Sequence, residues 1–87
     1  SVGISQGVFF CTGNHNYNKD LFDLILEKIV IEDDCWIAAM SIIAPGAILK
    51  RGSVSSLGSV VSGILQEDGI YKGNPAKLLK SKDDNHY

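Results

Sequence analysis

The chain has 87 residues, 45% of them apolar and 21% charged, with a formal net charge of −2. That suffices for one small domain and not two, and a domain of this size commonly supplements its core by oligomerising. The near-neutral balance, without a basic run, argues against nucleic acid or an anionic membrane as partner, and no stretch approaches the roughly 20 apolar residues of a membrane span.

The opening segment, SVGISQGVFF, starts inside a pattern, with Ile4 and Phe10 six positions apart. It carries neither an initiating Met nor a basic region followed by an apolar one, so no signal peptide is expected. The chain is expected to be the C-terminal part of a longer protein. Cys11 and Cys35 fit neither a CxxC metal pair nor a disulfide framework. Two free, partly buried thiols in a reducing cytoplasm are the expectation.

Residues 13–28, GNHNYNKDLFDLILEK, interrupt the pattern. The polar half presents His15, while LFDLIL is apolar enough to need a packing surface. In repeat proteins such insertions map to surface loops, often at the binding face.

From residue 31 the chain divides into hexads: IEDDCW, IAAMSI, IAPGAI, LKRGSV, SSLGSV and VSGILQ. First positions are Ile31, Ile37, Ile43, Leu49, Ser55 and Val61. Fifth positions are small in all but the last: Cys35, Ser41, Ala47, Ser53, Ser59 and Leu65. On a helix a step of six turns through about 600°, which scatters the aliphatics around the axis. Pro45, Gly46, Gly52 and Gly58 would also lie inside it, at up to about 3 kcal/mol for the proline. Strands fit better, because six is a multiple of the two-residue strand period.

Each small fifth-position residue then faces inward with the next first-position aliphatic, and the glycines supply corners. Three hexads per turn make a triangular coil, each strand pairing with the one about 18 residues on, and stacked coils make a solenoid. By alternation Trp36, Ile42, Ile48, Val54 and Val60 point outward, an apolar row that marks a partner surface, most simply another copy in a closed ring. Ser55, polar at an inward position, is expected to weaken its layer. After Val61 the pattern fades and the chain is expected to leave the solenoid. Gly73-Asn74-Pro75 reads as a turn and AKLLK fits either a short helix or an extended arm. The expected organisation is a β-solenoid domain over 1–80, with an excursion at about 13–28 and an arm at about 66–80, followed by a polar tail, 81–87.

The hexads, CWIAAMSIIAPGAIL and the ending GIYKGNPAK together resemble the hexapeptide-repeat acyltransferases, nearest to the O-acetyltransferases of colanic-acid, capsule and exopolysaccharide synthesis. The resemblance covers roughly residues 4–80. It implies an all-β, left-handed parallel β-helix, a homotrimer with active sites between neighbouring subunits, acetyl-CoA as acyl donor and a sugar or polysaccharide precursor as acceptor. It makes His15, after Thr12-Gly13-Asn14, the general base. An imidazole with a free pKa of about 6.5 can accept and return a proton near neutral pH. The resemblance also implies a cofactor path along Trp36, Ala39, Leu57, Ser62 and Gly63, ending at Lys77 and Lys80, where cations suit phosphates.

Departures from the family pattern are Leu57, bulky where the groove takes a small residue, Gly63 in place of a lysine, and Met40 where glycine is common. They leave a second reading open, a truncated or degenerate trimerising β-helix without catalysis. A zinc-dependent carbonic anhydrase on the same fold needs three histidines at the metal. With His86 in the polar tail, one useful histidine argues against it, and no metal is expected.

Overall fold

The computed structural model describes residues 1–11 and 28–82. Its strands are β1 (Gly3–Ile4), β2 (Phe9–Phe10), β3 (Val30–Ile31), β4 (Trp36–Ile37), β5 (Ile42–Ile43), β6 (Ile48–Leu49), β7 (Val54–Ser55), β8 (Val60–Val61), β9 (Ile64–Leu65), β10 (Gly69–Gly73) and β11 (Ala76–Ser81). They form three walls. The first is β1-β4-β7-β10-β11, the second β2-β5-β8 and the third β3-β6-β9. All pairings are parallel except β10 with β11. The chain visits the walls in rotation, so each circuit is one triangular coil.

The register follows the hexads. Trp36 pairs with Val54, Ile42 with Val60 and Val30 with Ile48, each 18 positions on. Residues two apart on a strand share a face, and the result is an interior of Ile37, Ile43, Leu49 and Val61, all fully buried. The small fifth-position residues Cys35, Ser41, Ala47, Ser53 and Ser59 are buried as well. At the open first coil the same inward position is held by Ile4, which is 51% exposed.

Corners turn through left-handed backbone at the fourth hexad position: Asp34, Met40, Gly46, Gly52 and Gly58 all have φ between 62° and 78°. Glycine adopts this conformation freely, whereas a side chain costs roughly 1–2 kcal/mol. Met40 and Asp34 bear that strain.

The solenoid continues beyond Val61. The next left-handed corners, Gly63 and Asp68, arrive after five residues instead of six. The last coil is therefore 16 residues long (64 minus 48, and 70 minus 54), pairing Ile48 with Ile64 and Val54 with Ile70. Leu65 lies opposite Leu49 and Tyr71 opposite Ser55, and both are buried. Leu65 is thus an inward first-position residue reached by a shortened side, not a large residue in a fifth position. The AKLLK segment is strand β11, antiparallel to β10.

Ser55 does not leave a gap in bonding. Its hydroxyl lies 2.9 Å from that of Ser41, which bonds the Ser56 carbonyl at 3.1 Å. No buried side-chain N or O among the described residues lacks a partner.

Candidate functional site

Pairs across the first coil are separated by 33 positions (36 minus 3, and 42 minus 9), against 18 in the next coil. Fifteen additional residues therefore lie between Phe10 and Val30, where the chain passes from the second wall to the third. Later coils make that second corner with Ala44–Ala47 and with Ser62-Gly63. His15 belongs to this segment, and it lies outside the described residues, as do Thr12, Gly13, Asn14 and His86. Cys11 and Cys35 are free thiols, half-buried and buried respectively.

The remaining candidates fall into two sets. Trp36 stands on the outer face of the first wall, half exposed, with its indole ring over Gly3, where even a methyl group would overlap it. Ala39 and Leu57 occupy the first corner, between the first and second walls, in successive coils. The Gly58 N–H donates to the Ala39 carbonyl at 3.0 Å, fixing the two corners one above the other. Leu57 projects into solvent, 68% exposed, beside the exposed Met40 of the preceding coil. Ser62 and Gly63, also exposed, are at the second corner. One protomer thus stacks Ala39 and Leu57 at one corner, sets Trp36 three residues before Ala39 on the first wall, and holds Ser62 and Gly63 a wall away.

Lys77 and Lys80 lie on β11, exposed at the end of the first wall. Besides the pairing of β10 with β7, side chains tie the hairpin carrying them to the solenoid. The Gly73 N–H donates to Ser59 Oγ at 3.2 Å, and the Gln66 N–H donates to the Tyr71 hydroxyl at 2.9 Å. Opposite Lys77, across the hairpin, stands Lys72. The hexad count offers no reason to single out Lys72; the available signal is the Gly73-Asn74-Pro75 turn, which folds the two lysines onto each other.

The third corner, between the third and first walls, collects the other charges. Arg51 Nε is 3.7 Å from Asp34, and its backbone N–H donates to Glu32 at 2.9 Å. These groups are exposed and screened by water, and such pairs contribute about 0–1 kcal/mol. Among the described residues no group of three or more His, Cys, Asp or Glu could hold a metal ion, and no helix is long and apolar enough to cross a membrane.

No family model matches the chain. It is 33% identical over 79 residues to WcaF of Escherichia coli (strain K12), named as a colanic acid biosynthesis acetyltransferase, with 91% of this chain and 43% of that protein covered. It is 32% identical over 89 residues to WbbJ of the same strain, named as a lipopolysaccharide biosynthesis O-acetyl transferase, covering 88% and 45%. Among solved structures, a hexapeptide-repeat acetyltransferase of Vibrio cholerae O1 biovar eltor complexed with acetyl coenzyme A superposes with a TM-score of 0.76 at 29% identity, covering 92% of this chain and 46% of that one. A maltose O-acetyltransferase of Clostridium difficile 630 gives 0.78 at 26% identity, covering 92% and 44%. The chain therefore spans less than half the length of these relatives.

Proposed function

We propose an acetyl-CoA-dependent O-acetyltransferase function for this chain, whose homologues are the hexapeptide-repeat acetyltransferases and whose fold is their left-handed parallel β-helix. The acceptor is a sugar or polysaccharide-precursor hydroxyl. The observation that carries this reading is the likeness, over 92% of the chain, to an acetyltransferase complexed with acetyl coenzyme A. It is joined by a relative named for O-acetyl transfer and by the row of candidate residues along the first corner and first wall.

In this reading His15 takes the proton of the attacking hydroxyl as its oxygen bonds to the thioester carbonyl carbon. The tetrahedral intermediate collapses by breaking the carbon–sulfur bond, and the imidazolium returns the proton to the departing thiolate. A backbone N–H, preorganised toward the developing oxyanion, would lower the barrier further. Trp36, Ala39 and Leu57 flank the pantetheine arm, and Lys77 and Lys80 meet the phosphates.

The assembly we propose is a homotrimer with its sites between subunits. The separation of Ser62 and Gly63 from Trp36, Ala39 and Leu57 supports it, because a threefold arrangement sets the second corner of one protomer beside the first wall of the next. The outer columns Phe9, Ile42, Val60 and Val30, Ile48, Ile64 are apolar throughout, and a ring contact joins two such unlike faces. The cytoplasm is the proposed location, where the thiols Cys11 and Cys35 stay reduced.

The test is thiol release from acetyl-CoA in the presence of a panel of sugars. His15→Ala is expected to lower the rate by roughly 10²- to 10⁴-fold; an unchanged rate would sink the proposal. The second reading, a trimerising β-helix without catalysis, is favoured by the bulk of Leu57 in the groove. A well-folded trimer that takes up no CoA in calorimetry would establish that reading instead.

A further inference from the structure

Residues 69–82 hold four of the chain's eight Lys and Arg residues and none of its ten Asp and Glu residues. Within this stretch the hairpin sorts its side chains by face. Ile70 pairs in register with outward-facing Val54, so Ile70 faces outward too. Lys72, two residues on, shares that side. Lys77 lies directly opposite Lys72, and Lys80 directly opposite Ile70. In a regular strand Lys77 and Lys80, three apart, would face opposite ways. The register shift between Ile70 and Tyr71 is a bulge that re-aims one of them, and it brings Lys72, Lys77 and Lys80 onto one outer face.

Directly opposed residues on antiparallel strands have Cβ atoms about 4.5–5.5 Å apart, and like charges so placed repel. Among the described residues no carboxylate pairs with Lys72 or Lys77. The pair also has a definite place in the stack. The Ser56 N–H donates to the Tyr71 carbonyl at 2.8 Å, so Lys72 follows at the level of Ser56, next to Leu57. The first corner, which carries Ala39 and Leu57 in successive coils, therefore has the lysine pair at its last level, one position before the column of Ala39 and Leu57.

We propose that Lys72 is a phosphate-binding residue, and that it closes with Lys77 across the hairpin on an anionic group of the acyl-CoA, at the last level of the first corner. This rests on the acetyl-CoA reading above. A bound phosphate oxygen converts the repulsion between the two ammonium groups into two charge-assisted hydrogen bonds. The bulge places Lys80 on the same outer face.

Calorimetric titration of the full chain with CoA, 3′-dephospho-CoA and pantetheine tests the assignment. Lys72→Gln is expected to weaken CoA binding about 10- to 150-fold, as for a hydrogen bond to a charged group, and to leave pantetheine binding unchanged. Lys72→Arg should restore most of the affinity, and Lys82→Gln, the control for bulk charge, should change it less than about twofold. A Lys72→Gln loss that disappears with 3′-dephospho-CoA assigns the contact to the 3′-phosphate, and one that persists assigns it to the diphosphate; both support the proposal. It is overturned if Lys72→Gln binds CoA like the wild type, if Lys82→Gln loses as much, or if pantetheine affinity falls in parallel. Wild-type protein that binds CoA beside an unaffected Lys72→Gln variant removes the Lys72 assignment alone. Wild-type protein that binds no CoA removes the acetyl-CoA reading with it.

Discussion

Replacing Ser41 by alanine should cost more stability than replacing Ser55, although the two hydroxyls share one hydrogen bond. Both residues are fully buried. Ser41 Oγ donates its proton to the Ser56 carbonyl at 3.1 Å, which leaves Ser55 to donate in the 2.9 Å contact between the hydroxyls. Ser55→Ala then removes one donor and strands nothing, because Ser41 keeps its bond to Ser56. The expected loss is about 1 kcal/mol, the ordinary net worth of a hydrogen bond. Ser41→Ala removes the acceptor and strands the Ser55 hydroxyl in a dry interior. The Ser56 carbonyl retains its bond from the Ser59 N–H at 3.1 Å, so the cost is chiefly that of the orphaned hydroxyl, about 2–3 kcal/mol in all. Removing Ser55 as well then relieves the orphan, and the double variant should be more stable than Ser41→Ala alone. Urea unfolding of the four proteins at one fixed concentration closes the cycle. Equal single losses that simply add in the double variant would refute the direction assigned to this bond.

Two other expectations concern the outer faces. Gly3→Ala places a methyl group where the Trp36 ring lies, so the indole must move. Emission from Trp36, the chain's single tryptophan, should shift, with a loss of about 1–3 kcal/mol typical of overpacking; an unaltered spectrum would show that the ring does not rest on Gly3. Ile42→Lys puts a charge at the centre of the second wall's apolar column while Ile43 beside it stays buried. Light scattering should report a species smaller than the proposed trimer with the β-sheet circular dichroism retained, and an unchanged mass would take this wall out of the interface.

The spacing of residues 31–61 was sufficient to determine most of the fold. A period of six with small fifth positions has one economical solution, and the 18-residue pairings of Trp36 with Val54 and Ile42 with Val60 follow it. The outward direction of Trp36 and Ile42 was legible for the same reason, since strand alternation leaves no choice once the inward residues are named. An interruption between Phe10 and Val30 could also be read, because the count fails there and the pairings across it span 33 positions instead of 18. What that count could not convey is how a coil shortens. A corner needs a residue in left-handed backbone, and Gly63 and Asp68 supply one after five positions instead of six. The linear hexad frame slips at Gly63, and by that frame the chain leaves a solenoid in which Leu65 and Tyr71 are still stacked.

The candidate site divides along similar lines. Residue type and motif pointed to His15, Trp36, Lys77 and Lys80, each by its own chemistry and its resemblance to a known pattern. Their mutual placement depends on which corner each coil turns, and only the folded coil separates Ser62 and Gly63 from Ala39 and Leu57. Ser55 reads as a defect by type alone, yet Ser41, at an inward position one coil away, satisfies it. Lys72 is an ordinary surface lysine in the linear chain. It becomes the partner of Lys77 only when the Gly73-Asn74-Pro75 turn folds the hairpin, and Lys80 joins their face only through a bulge. Period and residue type are local quantities that a sequence carries whole, whereas register, corner length and cross-strand pairing arise between segments distant along the chain and exist only once those segments are packed together.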